Sequence, residues 1–318
     1  AVLVGAMAEE TAVSAEPHEL TREEVKEGLA NLGRCADGRK FAYLDLHLTR
    51  RSLLGISAVS DFMHIQTLDC SFNRISDLSC LGSLASLTSL NASHNCLTRV
   101  LGFKPPLNLR EADLSCNSIS AINDLSGHRF LISLNLDDNQ IRCISGVENL
   151  QCLRTLSLHR NQIQHINGIA NLPLKELRLS GNRISVIECT ETLSQLQRLE
   201  LADNLVASLN GMEHLPMLRH LDMHRNAVGR LEDMECLQNL PLLHTLKLEE
   251  NPVNRLECYR LRILFLIPGL MFLDDIEVVA EEKVAATNFH DPEHPQYQDV
   301  RRSDAQDLPP ALFGVVAG

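Results

Sequence analysis

The sequence predicts an α/β solenoid, a fold in which short units of one design stack side by side. Two observations predict it: an asparagine that recurs along the chain, and aliphatic residues that recur at fixed distances from it. Successive asparagines are 22, 22, 22, 22, 21, 22, 22 and 25 residues apart. A fixed period in this range indicates a repeat architecture, because one such unit cannot bury its apolar side alone. The recurring residues are Asn73, Asn95, Asn117, Asn139, Asn161, Asn182, Asn204, Asn226 and Asn251.

In most units, aliphatic residues stand 8, 5 and 3 positions before the asparagine and 2 and 5 positions after it. Around Asn139 these residues are Leu131, Leu134, Leu136, Ile141 and Ile144. The alternating leucines predict a short strand, and Leu-x-Leu-x-x-Asn is the signature of a leucine-rich repeat. We therefore predict a right-handed horseshoe of about ten 22-residue repeats with a parallel β-sheet on its concave face.

The side chain of each recurring asparagine is predicted to turn inward. The chain bends there, so its backbone groups lack strand partners. A buried backbone group without a hydrogen bond costs about 1–3 kcal/mol. An amide side chain can satisfy such groups, which predicts a structural role for the nine asparagines.

Both ends of the repeat array carry the pattern of a cap. Thr21 and Glu24 form a capping box that opens an amphipathic helix with Val25, Leu29 and Leu32 on one face, which predicts a helical N-terminal cap over residues 17–40. Arg51 stands where another asparagine is due, so the first unit is an edge unit. Residues 41–280 are predicted to form the repeat domain, with a C-terminal cap of a helix and a final strand from about Asn251.

Composition argues against several classes of function. The net charge is −12, and an acidic chain gains nothing from counterion release, so no nucleic-acid partner is predicted. No run of 18 apolar residues occurs, so no membrane span is predicted. The first residues, AVLVGAMAEE, lack a basic segment, so residues 1–16 are interpreted as a disordered end rather than a secretory signal.

No catalytic or metal-binding arrangement is evident in the sequence. The ten cysteines form no Cys-x-x-Cys pair and are interpreted as free thiols, which predicts a cytoplasmic protein. Histidines near the predicted strands, among them His94 and His220, are interpreted as surface residues, because a metal site needs three or four converging ligands. We therefore predict neither enzymatic activity nor a cofactor.

The predicted strands place a series of charged side chains on the concave face. Such side chains can bind a partner, and they also keep an exposed sheet soluble. Concave faces are the usual binding surfaces of solenoids, which favours partner binding. The predicted partner-binding residues are Asp113, Asp137, His159, Arg160, Arg178, Glu200, Asp222, His224, Arg225 and Lys247.

The last part of the chain differs in composition from the repeats. Residues 281–310 are charged and proline-containing, which predicts a linker. Residues 311–318, ALFGVVAG, have the pattern of a buried strand that reaches a glycine-rich turn. A phosphate-binding loop would need Gly-Lys-Ser/Thr further on.

Several segments together resemble the leucine-rich repeat and guanylate kinase domain proteins. They are the entry segment from Leu20 to Glu24 with Ala36–Lys40, the FKPP string at Phe103–Pro106, Ile166–Gly168 with the shortened unit at Asn171–Lys175, Glu281–Val284 with Asp291 and Pro292, and the ALFGVVAG end. By this resemblance, residues 311–318 look like the start of a kinase-like domain. The entry segment is also similar to the leucine-rich repeat protein of ciliary radial spokes.

The resemblance implies a cilium or flagellum as the location and axonemal or microtubule-transport proteins as partners. It predicts a non-catalytic scaffold within a larger assembly, which binds through the concave face. Two alternatives stay open. The period and the C-terminal cap are similar to those of a protein phosphatase 1 regulatory subunit, and the ALFGVVAG end allows a targeting arm for a guanylate kinase-like enzyme.

Overall fold

The computed structural model describes residues 16–35, 40–103, 108–188 and 190–289. It divides into two compact units, unit 1 up to Leu153 and unit 2 from Arg154. The predicted N-terminal end up to residue 15, Lys104–Pro106 of the FKPP string, residues 290–310 of the predicted linker and the ALFGVVAG end lie outside the described residues.

The described part of unit 1 contains one α-helix, two 3-10 helices and a series of short strands. The helix and strands are β1 (His18–Glu19), α1 (Arg22–Gly28), β2 (Leu29–Arg34), β3 (Phe41–His47), β4 (Leu53–Gly55), β5 (Thr67–Asp69), β6 (Ser89–Asn91), β7 (Glu111–Asp113) and β8 (Ser133–Asn135). Parallel pairing joins β3, β5, β6, β7 and β8 in turn, and Leu46, Leu68, Leu90, Ala112 and Leu134 are register partners along this series. The first strand, β1, pairs separately with β4.

The N-terminal helix is shorter than predicted. The capping box is present, since Thr21 and Glu24 bond reciprocally, and Val25 is buried. The helix ends at Gly28, however, and residues 29–34 form β2, which pairs antiparallel with β3. Gly28 lies so close to β3 that a Cβ atom would be 2.4 Å from the carbonyl oxygen of His47. The prediction that Leu32 shares a buried helical face was wrong, because Leu32 is 62% exposed on β2.

Arg51 joins the first unit to the helix. Its Nη1 donates to the carbonyl oxygen of Glu24 at 3.2 Å and to the Glu27 carboxylate at 3.3 Å. The backbone at Arg51 is bonded by the asparagine of the next unit. Asn73 Oδ1 accepts from the backbone N–H groups of Arg51 and Leu53, both at 3.0 Å. An arginine therefore stands at this position with its side chain turned onto α1.

Unit 2 repeats the short parallel strands of unit 1 and ends in a helical cap. Its helices and strands are β9 (Thr155–Ser157), β10 (Glu176–Arg178), β11 (Arg198–Glu200), β12 (His220–Asp222), β13 (Thr245–Lys247), α2 (Tyr259–Leu266), β14 (Phe272–Leu273), β15 (Ile276–Glu277) and α3 (Ala280–Phe289). Parallel pairing joins β9 to β14 in turn, and Leu156, Leu177, Leu199, Leu221 and Leu246 are register partners. The three extra residues before Asn251 are accommodated in the 3-10 helix Glu232–Asn239.

The C-terminal cap of unit 2 extends further than predicted. Residues 281–289, interpreted as part of a charged linker, lie in α3, with Ala286 and Phe289 buried. Arg260 of α2 holds this helix: it bonds both carboxylate oxygens of Glu282, at 2.6 and 3.0 Å, and the carbonyl oxygens of Leu273 and Glu277, at 3.1 and 3.0 Å. The charged residues of α3 thus include Glu282, whose carboxylate is bound within the cap.

The core of each unit consists of the aliphatic positions that recur in the sequence. Leu131, Leu134, Leu136 and Ile141 have no exposed surface, and Ile144 is 1% exposed. Burying a side chain of this size contributes about 1.5–3 kcal/mol. Every repeat therefore contributes one apolar layer.

The recurring asparagines are buried and bond backbone groups of two successive repeats. Asn139 Nδ2 donates to the carbonyl oxygens of Leu136 and Asp137 in its own repeat and of Leu114 in the preceding one, at 3.0–3.1 Å. Its Oδ1 accepts from the backbone N–H of Ile119 at 2.9 Å. Asn204 in unit 2 makes the equivalent four bonds. One asparagine side chain thus supplies hydrogen bonds to the backbone groups of the bend and links its repeat to the preceding one.

Gly146→Ala is expected to destabilise the protein by about 2 kcal/mol. Gly146 has φ +77°, and an added Cβ would lie 2.3 Å from the carbonyl oxygen of Asn123 and 2.7 Å from its carbon, both backbone atoms. Gly102→Ala is the matched control, because its nearest neighbours, side-chain atoms of Arg99, are 3.6 and 3.7 Å away. Urea unfolding measures both variants, and equal free energies of unfolding would contradict the expected clash.

Candidate functional site

Four of the predicted partner-binding residues lie in one row across unit 2. Strand pairing places Arg178 beside Glu200, Glu200 beside Asp222, and Asp222 beside Lys247. The neighbouring row, on the same side of the strands, contains Glu176, Arg198, His220 and Thr245. Side chains two residues apart on a strand share a face. We call these two rows, together with Arg160 and Arg225 at the bends that follow β9 and β12, the strand face of unit 2.

Glu200 is the centre of a group of ion pairs on this face. Its carboxylate lies 2.5 Å from Arg198 Nε, 3.1 Å from His159 Nε2 and 3.9 Å from Arg178 Nε. Arg178 also contacts Glu176 at 2.9 Å. The side chain of Glu200 is 15% exposed. The hydrogen bond with His159, followed by that with Arg198, lowers the pKa of Glu200 from its ordinary 4.5 to about 2.

The pairs of Glu200 are expected to weaken as the pH falls from about 4.5 to about 2. Because the folded pKa is the lower one, the unfolded chain binds the proton first, so the contribution is fully present above pH 4.5 and lost on approaching pH 2. Its size is about 2–3 kcal/mol. Urea unfolding should show a wild-type advantage over Glu200→Gln that is large at pH 6 and small near pH 2.

Glu191→Gln is the matched control for this pH dependence, because Glu191 is exposed in the 3-10 helix Thr190–Thr192. Its difference from wild type should be small at every pH. A Glu200→Gln difference that stays constant between pH 6 and 2 would contradict the assignment.

A second group of charges lies at the bends that follow β11, β12 and β13. Arg225 contacts both carboxylate oxygens of Glu250, at 2.9 and 3.0 Å, and Asp203 at 3.6 Å. His224 Nδ1 is 2.7 Å from Asp222 Oδ1. Lys247 Nζ is 2.6 Å from Asp275 Oδ2. These pairs are mainly exposed, so each contributes little to stability, but together they hold the side chains in a fixed arrangement.

The predicted residues of unit 1 have a more local role. Asp113 Oδ1 accepts from the backbone N–H of Ser115 at 2.9 Å and from its hydroxyl at 2.7 Å. The backbone N–H of Asp137 donates in the same way to Asn135 Oδ1 at 3.0 Å. Asp or Asn stands four positions before the recurring asparagine in the repeats of unit 1, and the sequence-based interpretation missed the structural cause: these side chains close the turn after β5, β6, β7 and β8.

The residue just before each recurring asparagine adopts a left-handed backbone conformation. This includes Arg160 and Arg225, with φ +48° and +52°, and the glycine at this position, Gly181, with φ +69°. In unit 1 the same position gives a stack in which Phe72 lies 4.1 Å from the His94 ring, and Arg50 lies 4.8 Å above the Phe72 ring. His94, interpreted as a surface residue, is exposed and also packs against the Phe72 ring.

Five aligned residues just before the strands of unit 2, most of them basic, were not among the predicted site residues. Backbone N–H groups bond successively from Lys175 to Arg154, Gln197 to Lys175, Arg219 to Gln197, and His244 to Arg219, at 2.8–3.0 Å. Four of these five aligned residues are basic. Their spacing, seven positions before each recurring asparagine, was the signal that could have identified them.

The described residues contain no group of three or more His, Cys, Asp or Glu side chains that could hold a metal ion. None of the nine cysteines in the described part of the chain is joined in a disulfide. Among the described residues, no helix has the length and hydrophobicity needed to cross a membrane.

Comparison with known proteins agrees with this geometry. The leucine-rich repeat family model matches residues 177–298. A leucine-rich repeat protein of Leptospira interrogans has a similar structure, with 27% identity and a TM-score of 0.64 over 72% of this chain and 60% of that one. The chain has the leucine-rich repeat fold. The prediction of this fold is confirmed.

Two human proteins are similar to parts of this leucine-rich repeat chain. Leucine-rich repeat and guanylate kinase domain-containing protein is 43% identical over 91 residues, which are 29% of this chain and 11% of that protein. Leucine-rich repeat-containing protein 23 is 34% identical over 120 residues, 38% of this chain and 34% of that protein. The predicted resemblance to the first is thus confirmed for the repeat region. The chain spans about a third or less of the length of these relatives.

Proposed function

We propose that this leucine-rich repeat chain is a non-catalytic scaffold that binds partner proteins through the strand face of unit 2. The observation that carries the proposal is the group around Glu200, where long charged side chains are held by one another on a sheet. Such pre-organised charged side chains lose little entropy when a partner binds. Complementary charge then supplies specificity and fast association.

The proposed setting is the cilium or flagellum, with axonemal or microtubule-transport proteins as partners. The support is the sequence resemblance of the entry segment to the leucine-rich repeat protein of ciliary radial spokes, together with the setting that the resemblance to the leucine-rich repeat and guanylate kinase domain proteins implies. The similarity to leucine-rich repeat and guanylate kinase domain-containing protein also supports a second proposal, a targeting arm of a guanylate kinase-like enzyme. A Gly-Lys-Ser/Thr motif after Gly318 in the full-length protein would support this second proposal, and its absence would reject it.

Proximity labelling in ciliated cells tests the docking surface. Neutralising Arg160, Arg178 and Arg225 to glutamine leaves Glu200 in contact with Arg198 and His159, so the fold is expected to persist. We expect labelling of axonemal or transport proteins to fall about tenfold, as for the loss of a few charged contacts. Thermal unfolding of the purified variant checks the fold.

Arg142, Arg183 and Arg255 provide the matched control, because all three are exposed and follow the recurring asparagines instead of preceding them. Neutralising these three arginines removes the same charge and should leave the labelled proteins unchanged. Equal labelling by both triple variants would contradict docking through the strand face, and wild-type labelling without any axonemal or transport protein would contradict the proposed setting.

A further inference from the structure

The dipeptide Asn-Gly occurs twice in the sequence, at the same position in two repeats of unit 2. The two pairs are Asn167 with Gly168 and Asn210 with Gly211, and each stands six and seven positions after the recurring asparagine of its repeat. Both asparagines are exposed, and the two glycines have φ +70° and +98°. Asn-Gly is a turn dipeptide, and a glycine has no side chain that shields its backbone nitrogen. A difference in reactivity between these two turns must therefore come from their surroundings.

The second turn holds its glycine nitrogen in a hydrogen bond. The backbone N–H of Gly211 donates to a carboxylate oxygen of Glu213 at 2.8 Å. The backbone N–H of Asn210 donates to Ser208 Oγ at 3.3 Å. Because a carboxylate stabilises the protonated form of a group beside it, Glu213 opposes the loss of the Gly211 amide proton. The nitrogen of this turn is therefore a poor nucleophile.

The first turn lacks the carboxylate that the second turn has. Ala170 stands two residues after the glycine of the first turn, at the position that Glu213 occupies in the second. Among the described residues, none accepts a hydrogen bond from the backbone N–H of Gly168, and none bonds the side-chain amide of Asn167. The Gly168 nitrogen and the Asn167 side chain are therefore not held apart by hydrogen bonds to other groups of the described chain.

We propose that Asn167 is a site of spontaneous deamidation and that Glu213 protects Asn210 from the same reaction. The Gly168 nitrogen gives up its proton to a base in the solvent and attacks Asn167 Cγ. A bond between these two atoms forms, and the Cγ–Nδ2 bond breaks. The leaving nitrogen takes up a proton and departs as ammonia, which leaves a cyclic imide. No oxidant or reductant takes part.

Hydrolysis of the imide gives two products. Water adds to one of its carbonyl carbons, and the bond from that carbon to the Gly168 nitrogen breaks. Cleavage at Cγ gives aspartate at position 167 with the main chain unchanged. Cleavage at the backbone carbonyl carbon gives isoaspartate, in which the main chain runs through Cγ. In total, one water is consumed, one ammonia is released, and a neutral amide becomes a carboxylate.

The isoaspartate product affects the core of its repeat. It lengthens the main chain by one C–C bond, about 1.5 Å, between Ile166 and Ile169. Both isoleucines are buried, with 1% and 0% exposed surface. Because protein interiors are close-packed, the added length strains this repeat, whereas aspartate does not. The reaction requires no partner protein, so it is independent of docking through the strand face.

Peptide mapping by mass spectrometry tests this site on the whole folded chain, incubated at mildly alkaline pH. We expect Asn167 to deamidate about tenfold faster than Asn210, as for one hydrogen bond to a charged acceptor. Both rates should rise with pH, because the deprotonated amide is the attacking form. Equal rates at the two sites, or no conversion of Asn167, would overturn the proposal.

Variants at the position two residues after each glycine test the role of the carboxylate. Glu213→Ala is expected to raise the deamidation rate of Asn210 about tenfold, and Ala170→Glu is expected to slow that of Asn167. Glu249→Ala is the matched control, because Glu249 is exposed and its replacement removes the same charge at a different place. It should leave both rates unchanged, and thermal unfolding checks that all variants are folded. A rate at Asn210 that is the same in Glu213→Ala and wild type would contradict protection by Glu213.

Discussion

Replacing Asn139 with leucine is expected to lower the free energy of unfolding by about 3–5 kcal/mol. The substitution removes one acceptor and the donors for three carbonyl groups, at the backbone of Leu114, Ile119, Leu136 and Asp137. Leucine has a similar volume but no polar atom, and Asn139 is 7% exposed, so water cannot fully replace the lost bonds. Thermal and urea unfolding measure the effect.

Asn123→Leu is the matched control for Asn139→Leu. Asn123 is an exposed asparagine in the preceding repeat, and its replacement should change stability by about 0.5 kcal/mol or less. A melting temperature of Asn139→Leu equal to that of wild type would show that the buried amide does not stabilise the bend.

Arg260→Met is expected to detach the C-terminal helix, with a loss of about 3 kcal/mol. Methionine keeps much of the aliphatic volume but leaves Glu282 without its guanidinium and two carbonyl oxygens, those of Leu273 and Glu277, without their donor. Because α3 contacts α2 at the end of the cap, the opening should be local. Amide hydrogen exchange should show loss of protection over residues 280–289 before the rest of unit 2.

Arg255→Met serves as the control for Arg260→Met, since Arg255 is an exposed arginine in the neighbouring 3-10 helix. It should leave exchange over residues 280–289 as in wild type. Unchanged protection of these residues in Arg260→Met would mean that Phe289 and Ala286 alone hold the helix in place.

The repeat itself could be predicted because its physical requirements are local and periodic. Each layer needs aliphatic residues at fixed distances from a bend, and each bend needs an amide, so both features recur in the sequence. The caps were harder to predict. Residues 29–34 have a helical apolar spacing, but pairing with β3 places them in a strand. Such a tertiary preference overrides local propensity.

The candidate site was only partly predictable. The sequence indicated Arg178, Glu200, Asp222 and Lys247, which lie in one row, because the position in the repeat determines the face of the strand. It gave no indication of which charges neutralise one another. That depends on side-chain geometry, as for Asp113, whose carboxylate bonds Ser115.

The most direct measurement of docking through the strand face is site-specific photocrosslinking of the full-length protein in ciliated cells. A photoreactive residue in place of Arg178 lies on the strand face, whereas one in place of Arg183 follows the bend in the same repeat. We expect crosslinks to axonemal or microtubule-transport proteins from position 178 and none from position 183. Crosslinks from position 183 alone would contradict the assignment of the strand face as the docking surface.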